Sequence, residues 1–208
     1  LLSKGHGETL LYAVLVEKKI ISANQFSNHY RNGSHILGGH VDIKTPGIEI
    51  TSGALGHGLS IGCGIALGNK LLKSKKNTFV LLGDAECSEG SIWEAALFAK
   101  KNELDNIIAI VDNNKIGATD FTKNFSSVEP LDKKFKSFGW ECRKVKGHSI
   151  KDIYKNLKKF SNSKNGKPKV LICETIKGKG LDFLENDPSW HSRPLSNELK
   201  LKGLKNSL

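Results

Sequence analysis

The sequence predicts an α/β domain built on a parallel sheet with helices on both faces, and three observations carry that expectation. Two short continuous apolar runs, Thr78 to Leu82 and Ile107 to Val111, lack any polar alternation, which is the pattern of strands buried on both faces. Between them Ile92, Ala95, Ala96 and Ala99 recur at helical spacing from Ser91 to Lys101. Strand, helix and strand in that order make a right-handed parallel crossover. The length of 208 residues fits one large domain.

The other elements come in chain order. Leu10, Leu11, Val14 and Leu15 predict a helix from about Gly7 to Lys19. Ser27 to Pro46 is polar and dotted with glycines and with His29, His35 and His40, so it reads as a surface connection or a ligand-contacting loop. Gly53 to Gly58 then leads into Leu59 to Lys73, a buried helix whose small residues permit close packing. Beyond the crossover, Glu141 to Val145 is a strand, and Ser149-Ile150-Lys151-Asp152 reads as a capping box opening a helix to about Phe160. Lys169 to Thr175 is a further strand after the Gly166-Lys167-Pro168 turn. Residues 1–191 are expected to form the domain, and 192–208 a polar tail, helix or linker, leaving it.

Composition excludes several classes. With 38% hydrophobic and 25% charged residues the chain is neither disordered nor collagenous, and no apolar run reaches the roughly 18 residues of a membrane span. Cys63, Cys87, Cys142 and Cys173 stand singly, without a C-x-x-C pair, which argues against a disulfide framework or zinc and for a reducing, cytoplasmic setting. The opening Leu1-Leu2-Ser3-Lys4 reads as an internal start with sequence missing before it. The formal charge of +11 falls entirely within Leu131 to Gly180, where 15 Lys+Arg face 4 Asp+Glu. A basic nucleic-acid-binding protein is the competing reading of that excess. No helix-turn-helix or zinc spacing accompanies it and aromatics are only 7%, so solvated helix faces explain it better.

In open parallel sheets ligands bind outside the carboxyl ends of the strands. Gly83-Asp84 and Asn113-Asn114 both stand at such ends, so a carboxylate and a carboxamide converge across 30 residues. Such hard oxygen donors suit Mg²⁺ or Ca²⁺, and Mg²⁺ keeps coordination positions for substrate phosphates, which implies a diphosphate ligand. Gly83 and Gly90 bracket the loop, whose main-chain N–H groups can face that ligand. A lone Gly-Asp after a strand is otherwise a turn with a helix cap.

Gly83-Asp84-Ala85-Glu86-Cys87-Ser88-Glu89-Gly90 through Asp112-Asn113-Asn114-Lys115-Ile116 resembles the thiamine-diphosphate motif in its transketolase version. Ser3-Lys4-Gly5-His6-Gly7, Gly38-Gly39-His40, Thr45-Pro46-Gly47-Ile48-Glu49, Thr51 to Gly58, Lys177-Gly178-Lys179-Gly180 and Trp190-His191 fall in the family's order. The chain is thereby similar to the N-terminal, diphosphate-binding half of transketolase.

That resemblance implies a thiamine-diphosphate-binding fold and a set of roles. Asp84 and Asn114 would hold Mg²⁺ through their side chains and Ile116 through its carbonyl, with Ca²⁺ able to substitute. Gly83, Ala85, His6 and His191 would line the diphosphate, with Glu86 and Lys177 in the same cofactor-binding set. Gly53 and Leu55 would border the cofactor rings. His6, His40 and His191 would face the sugar as catalytic groups, together with Glu89, which matches a family carboxylate at the subunit interface. His29, His35, His57 and His148 read as surface or loop residues and Cys87 as an inert small side chain.

The implied reaction is transfer of a two-carbon ketol unit from a ketose or ketose phosphate to an aldose. The family's activating glutamate comes from a pyrimidine-binding domain that 208 residues do not also contain, so each site is expected to be completed by a separate chain of C-terminal type, in a heterotetramer of two plus two, or by a removed C-terminal part. Nucleic acid and membrane are not expected partners. Ala85 stands where the family has glycine, and Ser88 and His57 where it has glutamine. These departures suit a specialised synthase acting on an activated sugar; a non-catalytic scaffold is the reading that rests on Ala85 alone.

Overall fold

The computed structural model describes residues 1–34 and 38–206, so the expectation for His35 lies outside the described residues. In chain order the helices are α1 (Glu8–Glu17), α2 (Ala23–Ser27), α3 (His57–Leu71), α4 (Gly90–Lys101), α5 (Thr122–Phe125), α6 (Leu131–Ser137), α7 (Ile150–Asn162) and α8 (Asn197–Asn206). The strands are β1 (Thr78–Gly83), β2 (Ile107–Asn113), β3 (Glu141–Lys146) and β4 (Lys169–Glu174), all parallel in the order β1-β2-β4-β3. Residues 1–3 run alongside β1, with Leu81 N–H donating to Leu1 O and Ser3 N–H to Leu81 O, each at 2.9 Å.

Period-2 geometry divides the apolar strands between two cores. Val80, Leu82, Ile107, Ala109, Val111, Val170 and Ile172 face α3, α4 and α6, where Leu59, Cys63, Ala66, Ile92, Ala96 and Phe135 meet them. Ile108, Leu171 and Cys173 face the other way onto Phe160, Ile153 and Leu157 of α7, and Leu81 meets Tyr12 and Leu15 of α1. The unalternated strands are therefore covered on both faces, as their composition requires.

The register brings three strand ends level. Gly83 pairs with Asp112, and Asp112 with Cys173, so β1, β2 and β4 deliver Asp84, Asn114 and Thr175 to one edge. Strand β2 runs to Asn113, two residues past the Val111 at which its apolar run stops. The cap expected before α7 forms, with the Ser149 hydroxyl accepting the Asp152 N–H at 3.3 Å.

Three short helices had no clear sequence signal. Helix α2 opens with a reciprocal capping box, Gln25 N–H to Ser22 Oγ at 3.1 Å and Ser22 N–H to Gln25 Oε1 at 2.8 Å, but buries nothing. Helix α6 buries only Leu131 and Phe135 within a lysine-rich segment, and α5 spans four residues. The tail departs from expectation: α8 folds back, with Gly203 buried so closely that a Cβ there would lie 2.8 Å from Leu181. Among the described residues no helix is long and apolar enough to cross a membrane.

Candidate active site

Five connections meet at the carboxyl edge of the sheet. They are residues 3–7, 50–57, 83–90, 112–116 and 175–191, and the level strand ends bring them together.

Asp84 follows β1 directly and is 2% exposed. One of its oxygens accepts the Ala85 N–H at 2.7 Å and the other the Lys115 N–H, so the carboxylate ties the end of β1 to the turn after β2. Lys115 has φ +64°, the left-handed conformation this tight turn demands. Asn114 Oδ1 accepts the Ile116 N–H at 2.9 Å, closing the same turn. Asp84, Asn114 and Ile116, expected as metal ligands, thus share one hydrogen-bonded unit. Burial pushes the Asp84 carboxyl up to about 6, with Asp112 adding to the rise and the two N–H donors and Lys4 opposing it.

Opposite stands a cluster of bases. Lys177 Nζ lies 3.0 Å from His191 Nδ1, and the His6 and His191 rings are 5.1 Å apart between centroids. Lys4 Nζ donates to Asp112 Oδ2 at 2.7 Å, and the Thr175 hydroxyl donates to the other Asp112 oxygen. Burial, then Lys4, His191, Lys177 and His40, drive the His6 imidazole down to about 4. Burial, Lys177 and Lys4 lower His191, and burial followed by Lys4 lowers Lys177. Burial alone would raise Asp112, but its pair with Lys4 holds it below the usual carboxylate range. Lys4 and Lys177 thus disfavour the charged forms of His6 and His191, with Asp112 the one carboxylate contacting this cluster among the described residues.

The donor chemistry fits thiamine diphosphate with a divalent cation. A buried carboxylate that forms no ion pair among the described residues, beside a carboxamide and a main-chain carbonyl, matches a hard metal ion. The basic cluster matches an anion, because a diphosphate would relieve the mutual repulsion of Lys4, His6, Lys177 and His191.

Most expected site residues converge. His40 packs over Gly53, where a built Cβ would lie 3.4 Å from its ring, and its charge is felt at His6. Leu55 is half-buried before the Gly56 turn, and Gly83 and Ala85 flank Asp84. One residue departs from expectation. The Glu86 side chain does not border the cofactor site: it is 1% exposed, turned beneath the loop, and spends its oxygens on Ser3, Gly56 and Gly83. Glu89, expected at a subunit interface, is exposed at the start of α4 beside Gly56.

Sequence reasoning assigned no role to Lys4, Asp112 or Thr175, although Lys4 sits between Ser3 and His6 in a family motif and Asp112 stands at a strand end. His148, read as a surface residue, accepts the Ile176 N–H at 2.8 Å through Nε2 and anchors the segment that carries Lys177.

Residues 1–208 match the family model described as transketolase, thiamine diphosphate binding domain. The chain is 42% identical over 200 residues to an apulose-4-phosphate transketolase subunit of Actinobacillus succinogenes, covering 96% of this chain and 72% of that protein. It is 36% identical over 199 residues to the 6-deoxy-6-sulfo-D-fructose transketolase subunit SqwG of a Clostridium species, covering 95% and 72%. Among solved structures, transketolase from Campylobacter jejuni superposes with a TM-score of 0.91 at 30% identity, over 100% of this chain and 33% of that longer one.

Proposed function

The chain belongs to the transketolase family, as a thiamine-diphosphate-binding domain, and from that premise we propose that it is the diphosphate- and Mg²⁺-binding subunit of a transketolase assembled from two kinds of chain. The observation that carries this reading is the meeting of the Asp84–Asn114–Ile116 unit with the Lys4, His6, Lys177 and His191 cluster at one sheet edge.

Asp84, Asn114 and the Ile116 carbonyl would hold Mg²⁺, and Gly83, Ala85, His6, Lys177 and His191 the diphosphate. When bound, thiamine diphosphate supplies a carbanion equivalent for addition to a ketose carbonyl and an electron sink for cleavage of the adjoining carbon–carbon bond. His6 is neutral at pH 7, so it presents one ring N–H to a substrate oxygen while its other nitrogen accepts. His40 and His191 are close enough to join it in orienting the ketose hydroxyls.

Residues 1–191 make up the binding unit, and a pyrimidine-domain subunit completes each site, most simply as two plus two. An exposed apolar strip on α3 and α4, Ile61, Ile65, Leu97 and Phe98, supports such docking. It continues into a cleft of about 420 Å³ that includes Gly53, Ala54, His57 and Ile61, next to the cofactor segment. Glu89 at the start of α4 belongs to the same surface. Relatives named for apulose 4-phosphate and for a sulfonated fructose support an anionic ketose as donor, of which the pentose phosphates are one kind. That breadth also favours a specialised sugar as acceptor. The free cysteines support a cytoplasmic setting.

The test is calorimetric titration of thiamine diphosphate into the chain plus its partner, with Mg²⁺ or EDTA. Binding should require Mg²⁺ and vanish in Asp84→Ala while the fold persists; tight metal-independent binding by the variant would overturn the assignment.

A further inference from the structure

Glu86 is buried without a basic partner. It takes part in no salt bridge among the described residues, and its charge is met instead by three hydrogen-bond donors. One oxygen accepts the Ser3 hydroxyl and the Gly56 N–H, the latter at 2.9 Å; the other accepts the Gly83 N–H at 3.0 Å. A carboxylate suits this position because it offers only acceptor sites, whereas an amide would turn an N–H toward at least one of these donors.

The donors come from three segments that are remote in sequence, and each opens or closes a stretch of the site. Ser3 precedes Lys4 and His6, Gly56 ends the turn that presents Gly53 and Leu55, and Gly83 precedes Asp84. Two glycines permit the close approach. Gly56 has φ +84°, and a Cβ there would fall 2.4 Å from Ser91 Oγ. A Cβ on Gly58 would fall 2.4 Å from both Cβ and Oγ of Ser3. Segment 2–5 is pinned from its other side as well, by Ser52 Oγ donating to Leu2 O at 2.9 Å.

We propose that Glu86 is a positioning residue, a buried carboxylate clamp that sets the relative placement of His6, Leu55 and Asp84 without touching cofactor or metal. The clamp rests on the assignment of this edge to thiamine diphosphate and a divalent cation. It goes beyond that assignment by giving one inward-facing side chain control over three walls of the site.

Hydrogen exchange of the full chain, read peptide by peptide, tests it together with calorimetric binding of thiamine diphosphate and Mg²⁺ in the presence of the partner subunit. In Glu86→Gln, exchange in segments 2–7, 53–58 and 82–85 should rise together by about tenfold, with 169–174 of β4 unchanged and cofactor affinity reduced by a similar factor. In Ser3→Ala, only 2–7 should loosen, with the Gly56 and Gly83 amides still protected. Unchanged exchange in the three segments of Glu86→Gln, or a rise spread equally into β4, would overturn the clamp. If Glu86→Gln does not fold, Ser3→Ala decides: unaltered exchange in 2–7 would overturn it equally. Wild-type chain that takes up no cofactor with its partner would instead overturn the assignment of the site, and the exchange pattern would still decide the clamp.

Discussion

His6 carries the sharpest electrostatic signature of the site. A base whose folded pKa, about 4, lies below its ordinary 6.5 contributes nothing to stability above pH 6.5, where it is neutral in both states. Between 6.5 and 4 the unfolded chain binds a proton that the folded chain refuses, so the fold loses stability as pH falls through that window. Urea midpoints of the cofactor-free chain should therefore drop between pH 7.5 and pH 5 by more than in His6→Gln; equal drops would contradict that origin. A bound diphosphate reverses the sign of the local field, and the His6 ring resonance in NMR should then titrate at higher pH than without it. Lys177 is the second informative residue. Its neighbour Lys179 is engaged by Glu185 at 3.0 Å on the surface, whereas Lys177 reaches His191. On the proposed reading Lys177, rather than the Glu185-paired Lys179, serves the diphosphate. Lys177→Gln should raise the thiamine diphosphate concentration needed for half-maximal activity by about tenfold and leave kcat at saturation little changed, measured in the reconstituted enzyme.

At the scale of elements, legibility tracked how much of an element's own composition decides its structure. Strands β1, β2 and β4 are apolar through both faces, so their runs mark them without tertiary information, and α4 announces itself by Ile92, Ala95, Ala96 and Ala99 at i, i+3, i+4 and i+7. Helices α2, α5 and α6 bury too little for periodicity to register, and are set by a cap or by two anchoring side chains. The site divided in the same way. Asp84 and Asn114 are readable because strand ends define where ligands gather, while the Glu86 clamp depends on donors from three loops that only the folded chain brings together. Caps and close approaches give element-scale predictions. Ser149→Ala should cost about 1 kcal/mol in urea denaturation, since the hydroxyl satisfies the Asp152 N–H at the start of α7. Gly58→Ala should cost more, about 1–3 kcal/mol, because its methyl group would collide with Ser3 and displace the 2–5 segment from α3.

For the whole molecule, the charge and the apolar surface point in different directions. The +11 excess lies in residues 131–180, where Lys151, Lys155, Lys158 and Lys159 coat α7, away from the helices that flank the cofactor segment. The unpartnered apolar strip lies on α3 and α4, where Leu97 is 58% and Phe98 43% exposed. On the proposed reading a pyrimidine-domain subunit completes the site and needs a docking face beside the cofactor segment. The face beside Gly53 and Glu89 is apolar enough to contribute to an interface of roughly the 1,600 Å² that stable complexes bury. Because Leu97 and Phe98 are largely exposed in the isolated chain, the double variant Leu97→Glu, Phe98→Glu should leave its thermal midpoint nearly unchanged, within about 0.5 kcal/mol of stability. The same two charges buried at an interface without partners should weaken assembly with the pyrimidine-domain subunit by at least about a hundredfold. Sedimentation equilibrium of the mixed subunits separates the two effects: assembly at wild-type affinity by a folded double variant would move the interface off α3 and α4, and lost assembly with an intact melt would locate it there.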